Sequence, residues 1–283
     1  MVWDSKPSSK IRDLTVSTNI GVLGAAGRMG RMLCQIVLAH DAARLAGGVD
    51  HPQSPLLGQD LGVLAGRTEP IGLLLDADRR GLFERSDVVV DFTLPTASDE
   101  NLSLAAETNT PLVLGTTGLS PTQEDFLNEM ALRVPVLYSA NYSLGVNLLI
   151  ELTKQAAASL QGFDIEVLEM HHNQKIDAPS GTALALGQAA AEGRNWDFDQ
   201  VACLSREGQT GQRPDQEIGF ATLRGGDVAG DHSVIFAGKR ETITLQHFAA
   251  DRVIFAQGAI AGALWLAAQK SPGRYAMKDV LGL

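Results

Sequence analysis

A short apolar run, Ile20 to Leu23, leads directly into three evenly spaced glycines, Gly24, Gly27 and Gly30. Behind them Met29, Met32, Leu33, Ile36 and Val37 recur at intervals of three and four, which is one apolar face of a helix. A strand, a glycine turn and a helix in that order restrict the fold severely. The turn lets a ligand approach the backbone, and the helix start offers free N–H groups and a positive dipole end. The spacing G-x-x-G-x-x-G alone also fits a turn that binds nothing. Its surroundings favour the ligand. Asp50 follows Gly30 by twenty residues and ends a second strand, Leu45 to Asp50. An acid there can accept from the ribose 2′-hydroxyl of an adenosine, so the first segment reads as dinucleotide-binding.

Further strands are expected at Asp87 to Thr93, Pro111 to Gly115 and Val134 to Ser139. Between the last two, Ser120 can cap a helix, Pro121 suits its first turn and Gln123 can reach back to the cap. Apolar strands alternating with helices predict a Rossmann-like doubly wound parallel sheet covered on both faces. After Asn141 the texture changes. Helices are expected over Leu144 to Leu160 and Ser180 to Ala191, a half-exposed strand over Phe163 to Val167, and a polar loop from Ala191 to Pro214. Strands follow at Ile218 to Leu223, Ser233 to Ala237 and Glu241 to Phe248, the last two joined by a hairpin at Gly238-Lys239. The fold class is therefore α/β, with a second α+β domain built on an open mixed sheet. A final helix runs from Ile254 to Gln269.

At 283 residues the chain suits two domains. With 23 basic and 33 acidic residues its formal charge is −10, the wrong balance for a nucleic-acid or membrane-surface partner. A local basic pocket for a small anion remains compatible with it. Two cysteines, Cys34 and Cys203, cannot form a disulfide framework or a four-thiolate zinc site, and they read as reduced thiols of a cytoplasmic protein. No apolar run reaches membrane-spanning length. Met1 to Thr18 lacks the apolar core of a secretory signal and reads as a poorly ordered extension.

The densest chemistry lies between Glu169 and Ala183, from a strand end to a helix start. Ser180 is a plausible N-cap, and the N–H groups of Gly181 and Thr182 with the Thr182 hydroxyl make an anion site beside Lys175. His171 and His172 point to opposite faces if the strand persists, so they should have different tasks. One could be a general acid. A histidine pair without a third ligand is seldom a metal site, and none is expected. The set describes a pocket for a small anionic substrate that needs a proton.

These residues resemble the 4-hydroxy-tetrahydrodipicolinate (dihydrodipicolinate) reductase family. The match covers nearly the whole chain after the extension. It runs through Gly24-Ala-Ala-Gly-Arg-Met-Gly30, Asp91-Phe-Thr93, Gly115-Thr-Thr-Gly118, Ala140-Asn-Tyr-Ser143, Glu169 to Ala183, and Arg252 to Trp265. The resemblance implies hydride transfer from NADH or NADPH to a cyclic dicarboxylate in lysine and diaminopimelate biosynthesis, by a homotetramer assembled through the second domain's sheet. It implies His171 and Lys175 as proton donors, and His172, Lys175, Gly181 and Thr182 as substrate ligands. It implies cofactor contacts from Gly24, Ala25, Ala26, Gly27, Arg28 and Met29, from Asp50, from Gly115, Thr116 and Thr117, and from Ser139, Ala140, Asn141 and Tyr142. The chain would return to the first domain at its end. Residues 19–141 and 252–283 would then bind the dinucleotide, and 142–251 the substrate and the other subunits.

Many members of the family carry arginine after the acid of the second strand, where it can hold a 2′-phosphate. Here His51 stands there, so NADH should serve at least as well as NADPH, although Arg28 could compensate. Cys34 reads as a core residue, and His232 and Arg240 as flanking a strand. Two alternatives remain open: another two-domain amino-acid or semialdehyde dehydrogenase, and a regulator that senses the dinucleotide without turnover.

Overall fold

Two sheets organise the chain. The computed structural model describes residues 17–283, so most of the expected N-terminal extension lies outside the described residues. The first half contains β1 (Thr18–Leu23), α1 (Arg28–Ala39), β2 (Ala43–Val49), α2 (Leu61–Leu64), α3 (Arg79–Glu84), β3 (Val88–Asp91), α4 (Pro95–Thr108), β4 (Leu112–Leu114), α5 (Pro121–Ala131) and β5 (Pro135–Tyr138). The second half contains α6 (Leu144–Ser159), β6 (Asp164–His171), α7 (Gly181–Arg194), α8 (Phe198–Val201), β7 (Ala202–Cys203), β8 (Ile218–Arg224), β9 (Asp231–Ala237) and β10 (Thr242–Phe248). The chain ends with α9 (Val253–Ala267), β11 (Gly273–Tyr275) and α10 (Met277–Leu281).

The first sheet is parallel throughout, in the order β11-β5-β4-β3-β1-β2. The order reverses at β1 and β3, and ligands of such sheets bind where the strand ends diverge. Both faces are covered. Leu33 and Val37 of α1 pack with Ile260 and Leu266 of α9 on one side. Leu102, Leu127 and Met130 of α4 and α5 pack on the other. Double coverage explains why β3 and β4 read as unbroken apolar runs. The capping box of Ser120 and Gln123 starts α5 as its sequence predicts.

The second sheet is mixed, in the order β10-β9-β6-β8-β7. Strand β6 runs parallel to β8 and antiparallel to β9, and β9 and β10 form the expected hairpin. Helices α6 and α7 cover one face, where Leu149 and Leu186 meet Ile165, Val167 and Phe236. Leu223 and Phe248 remain exposed on these strands. No helix among the described residues is long and apolar enough to cross a membrane.

The stretch read as a loop from Ala191 to Pro214 is a correction. Helix α7 continues to Arg194, Asn195 closes it in the left-handed region, and α8 and β7 follow. Arg194 accounts for the extension: its guanidinium donates to the carbonyls of Leu160 and Phe163 and stacks over Trp196. Beyond β7, Arg206 and Arg213 tie the polar segment to Glu166 of β6. Such long-range anchors leave no local periodicity. His232 is likewise corrected: it lies inside β9, and only Arg240 is outside a strand.

The glycine turn is tight. Gly24 has φ +67°, and a Cβ at position 30 would stand 2.1 Å from the Gly24 carbonyl oxygen. That oxygen and the next nearest atom, the Ala25 Cα, are backbone and cannot give way. Gly30→Ala is therefore expected to destabilise the protein by about 1–3 kcal/mol and to disturb the turn, read as a lowered denaturation midpoint together with weakened dinucleotide binding.

Candidate active site

The period-2 pattern of β6 builds the centre of the site. Ile165 and Val167 face the helices and enter the core. Glu169 and His171 lie on that same face, near the carboxyl end of the strand, and both are buried. Glu169 accepts from His171 Nδ1 at 2.6 Å, from both terminal nitrogens of Arg224 at 2.8 and 2.9 Å, and from the Ser180 N–H at 3.0 Å. Burial pushes its pKa up, but Arg224, His171 and the Ser180 amide outweigh burial and hold the carboxyl below its usual range. An ionised Glu169 fixes the His171 proton on Nδ1 and leaves Nε2 as the titrating nitrogen. Gly230 gives that nitrogen room, since a Cβ there would approach it to 2.9 Å. Burial lowers the His171 pKa; Glu169 opposes, and the charges of Lys175 and Arg224 add to the lowering.

Helix α7 meets this group at its start. The Ser180 side chain accepts from the Ala183 N–H and lies 3.0 Å from His232 Nε2. The first-turn N–H groups of Gly181 and Thr182 have no intrahelical partner. They border a cavity of about 520 Å3 that also reaches His171, His172, Lys175 and Arg252. Arg252 Nη2 lies 3.0 Å from His172 Nε2, and Lys175 Nζ pairs with Asp177 at 2.8 Å. Among the described residues no carboxylate lines this cavity. In a chain of net charge −10 it is a concentrated positive site. Asn141 Nδ2 donates to the Thr182 hydroxyl at 3.1 Å, so the end of the first sheet touches the start of α7.

A second cleft opens along the first sheet. Gly24, Ala26, Gly27, Asp50 and His51 line a cavity of about 400 Å3, and an adjoining one of about 280 Å3 is bordered by Met29, Phe92, Gly115 and Tyr142. Thr117, Ala140, Asn141 and Phe255 line both this smaller cavity and the positive one, and Ser139 borders the latter. Gly27 begins α1 with no side chain capping it, which leaves the amides of the first turn available. The amides, the glycine cradle and Asp50 fit a dinucleotide. Asp50 is held ready, accepting from the His51 N–H at 2.8 Å and the Ser54 hydroxyl at 3.0 Å.

Four residues expected at the cofactor lie elsewhere or serve the framework. Ala25 is buried and its N–H bonds to the Val49 carbonyl; Thr116 is buried and its hydroxyl donates to the Thr93 carbonyl. Arg28 is exposed and lines none of these cavities. Tyr142 borders the smaller cavity, but its buried hydroxyl lies 2.9 Å from the carbonyls of Leu114 and Leu137, as a strut between β4 and β5. Asp91 accepts from Thr93 and Asn101 and so fixes the turn into α4, with burial raising its pKa.

Glu169, Arg224 and Arg252 belong to this set of contacts although sequence reasoning gave them no task there, and His232, read as structural or pocket-edge, packs against His171. Only Glu169 carried a signal, its place two residues before His171 on one strand face. The others come from distant segments. Cys34 is a core residue, as expected, and burial pushes its thiol pKa up to about 12.

His232 makes acid stability testable. Burial lowers its pKa from 6.5 to about 4, with His171, His247 and Lys175 adding to the effect and Glu169 opposing it. Between those values the unfolded chain binds a proton that the folded chain refuses. Stability from this group therefore falls as pH drops from 6.5 towards 4, by roughly 3 kcal/mol over the window. Chemical denaturation at pH 7 and pH 4.5 should show a smaller difference for His232→Gln than for the wild type.

Models of the dihydrodipicolinate reductase N-terminus and C-terminus match residues 18–142 and 145–281. The chain is 48% identical over 271 residues to the 4-hydroxy-tetrahydrodipicolinate reductase of Parvibaculum lavamentivorans, covering 95% of this chain and 100% of that one. It is 52% identical over 263 residues to that of Afipia carboxidovorans, covering 93% and 96%. Among solved structures, a dipicolinate-bound dihydrodipicolinate reductase from a Paenisporosarcina species shares the fold with a TM-score of 0.73 at 22% identity, covering 92% of this chain and 97% of that one. An amine dehydrogenase from Mycobacterium smegmatis shares it more loosely, with a TM-score of 0.63 at 14% identity over 92% and 95% of the two chains. Family models spanning both halves, and relatives near 50% identity over almost the full length, place this chain in the dihydrodipicolinate reductase family.

Proposed function

We propose that this chain reduces 4-hydroxy-tetrahydrodipicolinate to tetrahydrodipicolinate with NADH or NADPH, in lysine and diaminopimelate biosynthesis in the cytoplasm. One observation carries the reading: a cavity with two full cations, two histidines and a free helix start, and with no carboxylate among the described residues, shares four lining residues with the dinucleotide cleft. A small dianion held there lies beside the cofactor's reactive end. In this reading residues 19–141 and 252–283 hold the cofactor, with β11 joining the first sheet beside β5. Residues 142–251 hold the substrate.

Each residue then has a task. Gly181, Thr182 and Lys175 take one substrate carboxylate, Lys175 exchanging Asp177 for it. His172 and Arg252 face the other. The bound cofactor supplies the hydride. The 4-hydroxyl leaves as water to give the conjugated ring, and His171 supplies the proton from Nε2 as negative charge builds on that ring with the arriving hydride. Its pKa is lowered in the free protein, so it needs the substrate to charge it: a dianion in the cavity favours the imidazolium. Glu169 stabilises that imidazolium through Nδ1 and keeps the ring oriented. Gly24, Gly27 and the α1 amides hold the pyrophosphate, and Asp50 holds the adenosine ribose. His51 Nδ1 accepts from the Gln53 N–H at 3.2 Å and offers no arginine-like fork, which supports NADH as at least as good a donor. The apolar side chains Leu223 and Phe248 support assembly of four copies through the second sheet, read directly by sedimentation.

The expected activity is tested by generating the substrate in situ from pyruvate and aspartate semialdehyde and following nicotinamide absorbance. Oxidation should require both the protein and the supplying synthase, with NADH at least matching NADPH. A folded protein that binds dinucleotide and oxidises neither would favour the sensing regulator. His171→Gln should lower kcat by roughly 10²–10⁴-fold with cofactor binding intact. In the wild type kcat/KM should fall as pH rises through a pKa below 6.5, and the kcat profile should be displaced to higher pH.

A further inference from the structure

We propose that Arg79 is the anion-recognising residue at the 2′ position of the cofactor's adenosine, and that Glu100 withholds it. The proposal rests on the dinucleotide reading above and adds what sets the choice between the two dinucleotides.

The adenosine side of the cleft contains Gly24, Gly27 and Asp50, which fixes where the ribose must sit. Among the described residues lining that cavity, Arg79 is the one lysine or arginine. It arrives there by topology. The Asp50 N–H donates to the Asp76 carbonyl at 3.0 Å, and Val49 bridges to Asp76 in parallel register. The segment entering α3 therefore runs beside the end of β2 and delivers Arg79, its first helical residue, next to Asp50 and His51. Just outside lies another depression, about 510 Å3, bordered by His51, Asp78, Arg79, Arg80 and Glu100. His51 and Arg79 form the wall common to both. A group attached at the ribose 2′ position and pointing away from the pyrophosphate meets that wall.

Arg79 is not free to receive it. Its Nη1 is paired with the Glu100 carboxylate, and among the described residues the guanidinium donates to no other group. Glu100 comes from α4 and is mostly exposed, with 65% of its side chain accessible. It opposes a 2′-phosphate twice, by occupying the guanidinium and by placing a negative charge beside a dianion. Arg80 is similarly paired with Glu107 and supplies no substitute cation, and Asp78, which caps the Gly81 N–H, is itself a carboxylate. A 2′-hydroxyl carries no charge and needs only Asp50. The arrangement penalises NADPH and leaves NADH untouched.

Removing the Glu100 charge should release Arg79. The measurement is equilibrium binding of NADH, NADPH, 5′-ADP and 2′,5′-ADP to the full chain by calorimetry, which needs no substrate and no turnover. In Glu100→Gln, the affinities for NADPH and 2′,5′-ADP should rise about tenfold, the scale of one charge-assisted contact to phosphate. NADH and 5′-ADP should stay within about twofold. The double variant Arg79→Ala/Glu100→Gln should lose the gain. Because Glu100 is exposed, its replacement does not threaten folding, and a thermal melt confirms that. An unchanged NADPH-to-NADH ratio in Glu100→Gln, or a gain that survives removal of Arg79, overturns the proposal while normal NADH binding keeps the dinucleotide reading. Folded wild-type protein that binds none of the four ligands overturns both.

Discussion

A buried carboxylate needs partners, and in this protein the partners of Glu169 assemble the site. An unpaired charge at that depth would cost several kcal/mol. Arg224 from β8, His171 from β6 and the Ser180 amide at the start of α7 together meet that demand. Each comes from a different element. Satisfying Glu169 therefore sets the position of the His171 imidazole, the start of α7 and the register of two parallel strands. Loss of any one contact would leave the carboxylate partly unpaired, so the group behaves as a unit.

That arrangement also separates the histidines by role. His171 sits against Glu169 with one nitrogen committed and the other towards the cavity. His232 packs edge-on to His171 at 5.1 Å between centroids and is held neutral by burial. His172, beyond the strand, turns to Arg252. Three imidazoles thus differ in setting, one paired with a buried carboxylate, one buried and neutral, one beside an arginine at the cavity, and their surroundings make the difference. Residue type does not.

Around the cavities the two halves meet through a few side chains, while α9 and α10 also pack against α6. Asn141 reaches Thr182, Arg252 reaches His172, and Phe255 borders both cavities. These residues lie where the chain leaves the first sheet and where it comes back. A substrate bridging Thr182 and the cofactor cleft would draw the halves together, which is how a cleft of this kind excludes water during hydride transfer.

Much of this was legible in the residues themselves. The glycine turn, the alternating strands, the Ser120 cap and the sequence from Glu169 to Thr182 are local patterns, because periodicity and capping depend on neighbours in the chain. So are the parallel character of the first sheet and the anion-ready start of α7. What needed the tertiary structure is everything decided by contacts between distant segments: Arg224 on Glu169, Arg252 at the cavity, Arg194 prolonging α7 into a stretch that reads as loop, and Arg79 beside Asp50. Arginine shows this most clearly. Its long side chain and five donors satisfy acceptors far along the chain and leave no periodic trace in the sequence. Local patterns along the chain were enough for the two-domain plan and the kind of chemistry. Three-dimensional packing decided which charges meet, because burial and pairing of ions are properties of the folded chain alone.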